Sequence, residues 1–271
     1  MEPKIFFTDL DETLLTREKS MTPATVDAIR RLTDAGHYLA FTSGRPLKSV
    51  MEARSLLPIT DQHLYYIANN GGLIVDAETG EHIRELRMTF EEVNYLLNTT
   101  WAEGIHCHTY TDEQIVTRER TKELTFYQQS IHLPALITDD VLGALKKPPF
   151  KCLAITLKGR SHLEALRNKL QPWAEGHIQL VCSTDELLEM FPITSGKGSA
   201  LEFLAKHLGV PISHTMSAGD QDNDISMLQA AGLGVAMCNG SEGAKAAADV
   251  ITKSDNNHDG LVPFLNSFFD L

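Results

Sequence analysis

Short apolar runs that alternate with helical patterns organise the first part of the chain. Three runs have the length of buried strands: residues 5–7, 38–41 and 64–68. Between them, Thr22 before Pro23 predicts the start of one helix, and Pro46 predicts the start of another. This order of strand and helix predicts a doubly wound parallel sheet, in which ligands bind outside the carboxyl ends of the strands.

The pattern changes in the middle of the chain. Residues 71–76 and 81–84 predict a hairpin that leaves the sheet, and two capping-box patterns, at residues 89–92 and 161–164, predict helix starts. Further strand-like runs lie at residues 105–110, 114–117, 152–157, 178–182 and 187–191. Strands and helices in this irregular order indicate an α+β unit rather than a continuation of the parallel sheet.

Strand–helix alternation returns after Gly196. Strand-like runs lie at residues 214–218, 234–237 and 249–251, with helical patterns between them. The outer parts of the chain therefore predict one discontinuous α/β core with a Rossmann-like sheet, residues 1–82 and 192–271. Residues 83–191 predict an inserted α/β domain.

Composition and charge exclude several classes of function. The chain has 24 Lys and Arg against 36 Asp and Glu, a formal net charge of −12, which argues against a nucleic-acid-binding surface. No apolar run reaches the ~18 residues that span a bilayer, and the N-terminus lacks a signal-peptide pattern. Four cysteines without a CxxC pair suggest neither a zinc site nor a disulfide framework, so we expect a cytoplasmic protein. The oligomeric state stays open.

Two aspartates follow the first apolar run. Asp9 and Asp11 are separated by one residue, so on a continuing strand they would share a face and repel each other. The pair fits either an acidic turn or a site that holds a cation. In the second case Asp9 can attack phosphorus as a nucleophile, while Asp11 acts as general acid and base.

A second candidate segment lies at the end of the second predicted strand. Ser43, Gly44 and Arg45 come directly before the helix that Pro46 opens. The N–H groups at a helix start bind anions, and a hydroxyl beside a glycine can approach a phosphoryl oxygen. Serine is also a favoured helix cap, and capping does not exclude phosphate binding.

A third segment, Gly196 to Gly198, contains Lys197 at another predicted helix start. A lysine at this position can neutralise charge on a phosphoryl group during its transfer, although most lysines are solvated surface residues. The segment also resembles the end of a P-loop. Phe191 stands where that motif requires its first glycine, which argues against a P-loop.

The fourth segment is an acidic run that follows a predicted strand, Gly219 to Asp224. Asp220 can supply an oxygen ligand to Mg²⁺, and the later acidic residues suit the first turn of a helix. A calcium-binding EF-hand loop would need glycine and glutamate where Ile225 and Ala231 stand. The acidic run is therefore not an EF-hand.

Taken in order, the four segments resemble motifs I to IV of the haloacid dehalogenase superfamily. The form Gly-Asp-Gln-Asp-Asn-Asp at 219–224, the Ser-Gly-Lys-Gly context of Lys197 and the position of the insert are similar to the Cof-like phosphatases, which have an α/β cap of type IIB. The resemblance covers the whole predicted core. In the insert it covers only position and strand–helix character.

The resemblance implies Mg²⁺-dependent hydrolysis of phosphate monoesters of small metabolites through an aspartyl-phosphate. It also implies a cap that closes over the site and contacts the leaving group. The implied roles are as follows: Asp9 is nucleophile and metal ligand; Asp11 is general acid/base and a ligand through its carbonyl; Ser43, Gly44 and Lys197 hold the phosphoryl group; Asp220 is a metal ligand; Asn223 faces phosphate or substrate; Asp224 faces Lys197 or a metal-bound water.

Several residues carry weaker expectations. Asn70, in an Asn-Asn-Gly run after the third strand, and Arg45 are candidates for substrate binding, with turn formation and a surface ion pair as the alternatives. Glu12 stands where many members of the family have glycine, and we expect little effect. His106 and His108 share a strand face, but the sequence shows no third metal ligand near them.

Three other functions remain open at this stage. A phosphomutase would return the phosphoryl group to a sugar instead of water. A metal-free dehalogenase would need neither Asp11 nor the cluster around Asp220. A phosphometabolite-binding protein with little turnover would keep the site, although it would not require both Asp9 and Asp11.

Overall fold

A computed structural model describes residues 2–271. The strands in this part of the chain are β1 Ile5–Thr8, β2 Tyr38–Thr42, β3 Leu64–Ala68, β4 Leu73–Asp76, β5 His82–Glu85, β6 His106–Tyr110, β7 Ile115–Thr117, β8 Ala135–Ile137, β9 Cys152–Ile155, β10 Ile178–Cys182, β11 Leu187–Pro192, β12 Thr215–Gly219, β13 Leu233–Ala236 and β14 Val250–Ile251. The helices are α1 Pro23–Asp34, α2 Leu47–Glu52, α3 Phe90–Ala102, α4 Lys122–Tyr127, α5 Arg160–Ala174, α6 Lys197–His207, α7 Ile225–Ala230, α8 Glu242–Ala247 and α9 Val262–Phe269. None of these helices is long and apolar enough to cross a membrane.

The chain divides into two compact units. The first contains residues 2–85 and Gly196–Leu271, and the second contains Leu86–Ser195. The sequence-based boundaries, 83 and 191, lie within a few residues of these limits.

The sheet of the first unit has the strand order β14-β13-β12-β1-β2-β3-β4-β5. Its strands are parallel from β14 to β3, as the alternating pattern predicts. The hairpin β4–β5 does not leave the sheet, so that prediction is wrong. Strand β4 pairs antiparallel with β3, with Ile74 opposite Ile67. Both side chains are buried in the core of this unit, and this burial favours keeping the hairpin in the sheet.

The carboxyl ends of adjacent strands bring three candidate segments to one edge of this sheet. Strand β1 lies between β12 and β2, so Asp9, Asp220 and Ser43 follow three neighbouring strands. The backbone continues this pairing, since Asp9 N–H donates to the carbonyl of Ala218 at 2.9 Å and Ser43 N–H donates to that of Ile67 at 2.8 Å. The topology therefore fixes the backbone positions from which these three side chains extend.

Helix α1 confirms its predicted start. Thr22 is the N-cap, and its hydroxyl accepts a hydrogen bond from the N–H of Thr25 at 3.2 Å. Pro23 opens the helix, where a missing N–H costs nothing. The apolar side packs inward through Ala28, Ile29 and other residues of that face, all buried.

The second unit has an antiparallel sheet in the order β10-β11-β9-β6-β7-β8, in which only β7 and β8 pair in parallel. Helices α3 and α5 contribute Val93, Leu163 and Leu166 to a core that also includes Cys152 and Leu188 of the sheet. Because side chains alternate along a strand, this core takes one face of the sheet.

One of the two capping boxes of this unit is confirmed. Thr89 and Glu92 form it reciprocally at the start of α3. The box predicted at Ser161 is wrong, because the N-cap of α5 lies two residues earlier, at Gly159 with φ 89°, and a glycine has no side chain to cap the helix. Glu164 instead pairs with Arg160 of the same helix at 2.9 Å.

His106 and His108 belong to a buried hydrogen-bonded chain in this unit. His106 Nε2 lies 3.0 Å from His108 Nδ1, and His108 Nε2 lies 2.8 Å from the hydroxyl of Tyr110. That hydroxyl donates to Tyr127 of α4 at 2.7 Å. Burial lowers the pKa of His106 to about 4, so both rings stay neutral and the chain joins α4 to the sheet.

Candidate active site

A buried cluster of charged side chains forms at the edge where β1, β12 and the start of α6 meet. The ammonium of Lys197 donates to Asp9 Oδ1 and to Asp224 Oδ1, at 2.6 Å in each case. Carboxylate oxygens of Asp9, Asp220 and Asp224 lie within 4.8 Å of one another. All four side chains are buried. The structure thus brings together four residues that lie up to 215 positions apart, from 9 to 224.

Local backbone features explain why Asp224 reaches this cluster. Its Oδ2 accepts hydrogen bonds from the N–H groups of Asp220 and Gln221, both at 3.0 Å. Gly219, the last residue of β12, makes room for it: a Cβ there would lie 2.5 Å from the Cβ of Asp224. The glycine of this motif is therefore a packing requirement.

Lys197 is fixed by its place at the first turn of α6. The residue before it, Gly196, has φ 147°, a backbone conformation that residues with a side chain rarely adopt. Gly71 lies against the carbonyl of Gly196, so a Cβ at Gly71 would collide with that carbonyl. These two glycines hold the start of α6 close to the loop after β3.

The cluster carries more negative charge than its single ammonium compensates. Burial raises the pKa of Asp9 well above its ordinary value; the charge of Lys197 opposes this effect, and those of Asp224 and Asp220 add to it. Burial and the charge of Asp224 raise the pKa of Asp220 to about 7. Burial lowers the pKa of Lys197, but the charges of Asp224 and Asp9 outweigh it, so the net shift is upward.

These carboxylates fit a divalent cation. Both oxygens of Asp224 already accept hydrogen bonds, from Lys197 and from two backbone N–H groups. Among residues 2–271, by contrast, no donor reaches Asp9 Oδ2. Hard cations such as Mg²⁺ take oxygen ligands, and a cation would offset the excess charge. Asp9 is thus the better candidate for a ligand. Each oxygen of Asp220 accepts one hydrogen bond, from Thr13 and from Gln221, and neither donor is a cation, so Asp220 is the second candidate, with Asp224 orienting Lys197.

Asp11 lies in a different electrostatic environment from Asp9. Its carboxylate accepts hydrogen bonds from Arg45 Nε at 2.7 Å, Arg45 Nη2 at 2.5 Å and Lys19 Nζ at 2.7 Å. Burial raises the pKa of Asp11, but Arg45 and Lys19 outweigh it and hold the pKa below its ordinary value. Arg45 therefore contacts a predicted catalytic residue instead of forming a pair remote from the site.

Ser43 and Asn70 lie on neighbouring loops that are joined by their backbones. The N–H of Asn70 donates to the carbonyl of Ser43 at 3.1 Å, and Ser43 Oγ accepts a hydrogen bond from the N–H of Arg45 at 3.2 Å. The side chain of Asn70 is buried, and neither its oxygen nor its nitrogen has a partner within residues 2–271. Buried amide groups are rarely left unpaired, so this one is available to a ligand.

Other predicted residues lie at the same edge without joining the cluster. Asn223 belongs to the short turn Asp222–Asp224 before α7 and is partly buried. Within the described residues, neither its side chain nor the Ser43 hydroxyl bonds to the clustered carboxylates. Gly44 sits between Ser43 and Arg45 and is also partly buried. No ligand role for these three residues follows from the contacts alone.

Two contacts were not anticipated from the sequence. The hydroxyl of Thr13 donates to Asp220 Oδ1 at 2.8 Å, which explains the threonine of the first motif. Lys19 reaches Asp11 from a turn that had no distinguishing pattern. Lys19 has a positive φ, which the surrounding turn imposes, and that turn could not be recognised from the sequence.

Comparison with known proteins assigns the family. The model of haloacid dehalogenase-like hydrolases matches residues 6–265. The chain belongs to this family. The resemblance drawn from the four motifs is thereby confirmed, and so are the α/β fold class and the assignment as a hydrolase. A divalent metal is general among haloacid dehalogenase-like hydrolases, in agreement with the buried aspartates.

Alignments with individual relatives cover most of the chain. It is 30% identical over 262 residues to a candidate phosphatase of Streptococcus pyogenes, with 95% of each protein covered. It is 28% identical to an HMP-PP phosphatase of Yersinia pseudotuberculosis, with 85% of this chain and 82% of the relative covered. A crystal structure of a haloacid dehalogenase-like hydrolase from Bacteroides thetaiotaomicron has a TM-score of 0.87 at 27% identity, covering 98% and 99% of the two chains.

Proposed function

We propose that this enzyme is a Mg²⁺-dependent phosphatase that hydrolyses phosphate monoesters of small metabolites through a phosphoryl group on Asp9. One observation carries the proposal: two aspartates only two positions apart have opposite surroundings. Asp9 lies in an excess of negative charge beside Lys197, whereas two cations hold the carboxylate of Asp11. This difference supports distinct roles for the two carboxylates.

In the first half-reaction, a carboxylate oxygen of Asp9 forms a bond to phosphorus and the bond from phosphorus to the ester oxygen breaks. The leaving oxygen takes a proton from Asp11, so this mechanism requires Asp11 to be protonated once the ester is bound, although Arg45 and Lys19 favour its ionised form in the free protein. In the second half-reaction, the oxygen of water bonds to phosphorus, Asp11 accepts the proton of that water, and the carboxylate of Asp9 is released. Because Asp11 has lost its proton in the first half-reaction, it is ionised and able to accept this one.

Lys197 supports both half-reactions without taking part in a proton transfer. Its raised pKa keeps it charged, and its contact with Asp9 Oδ1 places that charge next to the phosphoryl group that Asp9 would carry. We assign Ser43, Gly44, Asn70 and Asn223 to phosphate or substrate binding. The unpartnered amide of Asn70 supports its inclusion.

We propose Asp9, Asp220 and the Asp11 carbonyl as the residues that hold Mg²⁺. When bound, this cation neutralises phosphoryl charge that the protein alone does not balance. The excess carboxylate charge around Lys197 supports this assignment. We further propose the cytoplasm as the compartment, since all four cysteines are free thiols.

We propose that the second unit, Leu86–Ser195, selects the ester, in line with the family resemblance. Support comes from its separate sheet and core, which can vary without altering the catalytic edge of the first unit. The relatives named as phosphatases support the reaction class. Hydrolysis of a panel of phosphorylated metabolites by the purified protein would identify the preferred ester.

The test of the mechanism is replacement of Asp9 by Asn. Release of phosphate from p-nitrophenyl phosphate should fall to background in the variant, while urea unfolding shows a folded protein, because an amide cannot form the acyl-phosphate. EDTA should abolish the wild-type activity and Mg²⁺ should restore it. Phosphate release by Asp9→Asn at a rate near that of the wild type would contradict the proposal.

A further inference from the structure

Two cations from different loops fix the Asp11 carboxylate. Arg45 donates twice, through Nε to Oδ2 at 2.7 Å and through Nη2 to Oδ1 at 2.5 Å. Lys19 adds a third bond, to Oδ1 at 2.7 Å. Arg45 comes from the start of α2, whereas Lys19 comes from the loop after β1. A bidentate guanidinium takes two of the roughly four acceptor sites of a carboxylate, and the ammonium of Lys19 takes a third.

The loop that carries Lys19 is a closed turn. The N–H of Thr16 donates to the carbonyl of Ser20 at 2.8 Å, the N–H of Lys19 donates to the carbonyl of Thr16 at 2.9 Å, and the two hydroxyls of Thr16 and Ser20 lie 2.9 Å apart. Within this turn Lys19 has φ 56°, a left-handed conformation that non-glycine residues seldom adopt. The turn thus holds Lys19 in a conformation that a free loop would avoid.

A distant part of the same unit holds this turn in place. The buried side chain of Asn256 donates to the carbonyl of Leu15 at 2.7 Å. The N–H of Arg17 donates to Asn257 Oδ1 at 3.1 Å. Both contacts fix the first end of the turn, on either side of Thr16, and the Lys19 side chain that emerges from the turn ends on Asp11.

We propose that Lys19 is a positioning residue, which with Arg45 holds the Asp11 carboxylate apart from the Asp9–Asp220–Asp224 cluster so that it meets the leaving-group oxygen. The inference rests on the proposed phosphatase function. Among residues 2–271, Asp11 is not one of the carboxylates that lie within 4.8 Å of one another. Two anchors on different loops restrict the carboxylate more than Arg45 alone, because a single guanidinium can swing together with its partner.

The position of a general acid matters most when the leaving group is poor. A phenolate that carries a nitro group departs without much help, whereas an unsubstituted phenolate needs its proton. A side chain that only binds substrate would affect both esters equally. Lys19 can therefore be tested with aryl phosphates of similar size and different leaving-group basicity.

The experiment compares the wild type, Lys19→Met and Lys19→Arg on p-nitrophenyl phosphate and phenyl phosphate with saturating Mg²⁺. For Lys19→Met we expect kcat/KM to fall about tenfold on phenyl phosphate and less than about threefold on p-nitrophenyl phosphate, part of the ~10²–10⁴-fold that a general acid supplies. Lys19→Arg should recover most of the loss. Lys245→Met, which removes an ion pair with Glu242 in α8, serves as the matched control and should match the wild type on both esters.

Each other result overturns the inference. Equal losses on both esters, or a rise in KM alone, would make Lys19 a substrate-binding or structural residue. Values identical to the wild type would mean that Arg45 suffices. A lower urea midpoint with parallel losses would assign Lys19 to the fold. If the wild type itself released no phosphate from either ester, the proposed function would fail and the inference with it, a result distinct from all the others.

Discussion

Replacing Asp220 by Asn should remove a loss of stability that develops as the pH rises. In the folded chain without metal, the pKa of Asp220 is about 7, whereas in the unfolded chain it returns to its ordinary value of 3.8. Between these values the folded state binds more protons than the unfolded state. The contribution of this carboxyl is therefore fully present at low pH and is lost as the pH rises toward 7.

The size of this loss follows from the two pKa values. A shift from 3.8 to about 7 corresponds to roughly 4 kcal/mol when both states are ionised. About 2 to 3 kcal/mol of this falls between pH 5 and pH 8, because part of the loss is complete by pH 5. The pKa of Asp9 is raised partly by Asp220, so relief of Asp9 in the variant acts in the same direction.

Urea unfolding in EDTA, near pH 5 and near pH 8, measures this difference directly. Asp220→Asn keeps an oxygen that can accept the bond from Thr13, so its packing is conserved. Its free energy of unfolding relative to the wild type should rise by about 2 to 3 kcal/mol from the lower to the higher pH. Mg²⁺ should restore more stability to the wild type than to the variant at the higher pH.

The control is Asp34→Asn, since Asp34 is an exposed residue of α1. Its difference from the wild type should change little with pH. If the wild type and Asp220→Asn kept a constant difference across this range, the excess charge inferred around Lys197 would be refuted. The same inference would be refuted if the free energy of unfolding of the wild type rose with pH while that of the variant stayed constant.

Three further changes have defined outcomes. Glu12 has φ 55°, so replacing it by Gly should raise the free energy of unfolding, measured in urea, by about 1 kcal/mol. A decrease would show that contacts of the Glu12 side chain outweigh the backbone strain. Lys151→Met should cost about 3 to 5 kcal/mol because it leaves the carboxylate of Glu189 buried and unpaired, whereas the double variant Lys151→Met with Glu189→Leu should return close to the wild type; equal losses in the two would contradict this. Asn70→Gly keeps the left-handed backbone and should raise KM about 3- to 10-fold with little change in kcat, so an unchanged KM would remove Asn70 from the substrate site.

The sequence predicted those parts of the site that backbone topology alone controls. Asp9 and Asp220 follow buried strands, and in a parallel sheet the ends of neighbouring strands must meet. Lys197 lies between two glycines, Gly196 and Gly198, at a helix start, a signal that can be recognised without knowledge of packing. These three residues of the buried cluster could therefore be predicted from the sequence alone.

The parts that the sequence did not predict depend on side-chain contacts between distant segments. Lys19 has no motif, and its role in the site becomes visible only when the Thr16–Ser20 turn brings it to Asp11. The start of α5 was misplaced because Gly159 and a serine cap are alternative ways to begin a helix, and local pattern does not rank them. The hairpin β4–β5 was misplaced because turn signals do not show which edge a hairpin joins.

The pKa values of Asp9 and Asp11 shift in opposite directions, so the two carboxylates lie in different electrostatic surroundings. Asp11 already has its counter-charges in the protein, from Arg45 and Lys19. Asp9 shares one ammonium with Asp224 and lies beside Asp220, so its ionised form is costly until further positive charge arrives. In the proposed mechanism, a cation held by Asp9 and Asp220 would offset this cost and favour ionised Asp9, whereas Asp11 has its own counter-charges. The fold separates the two carboxylates electrostatically although only one residue lies between them.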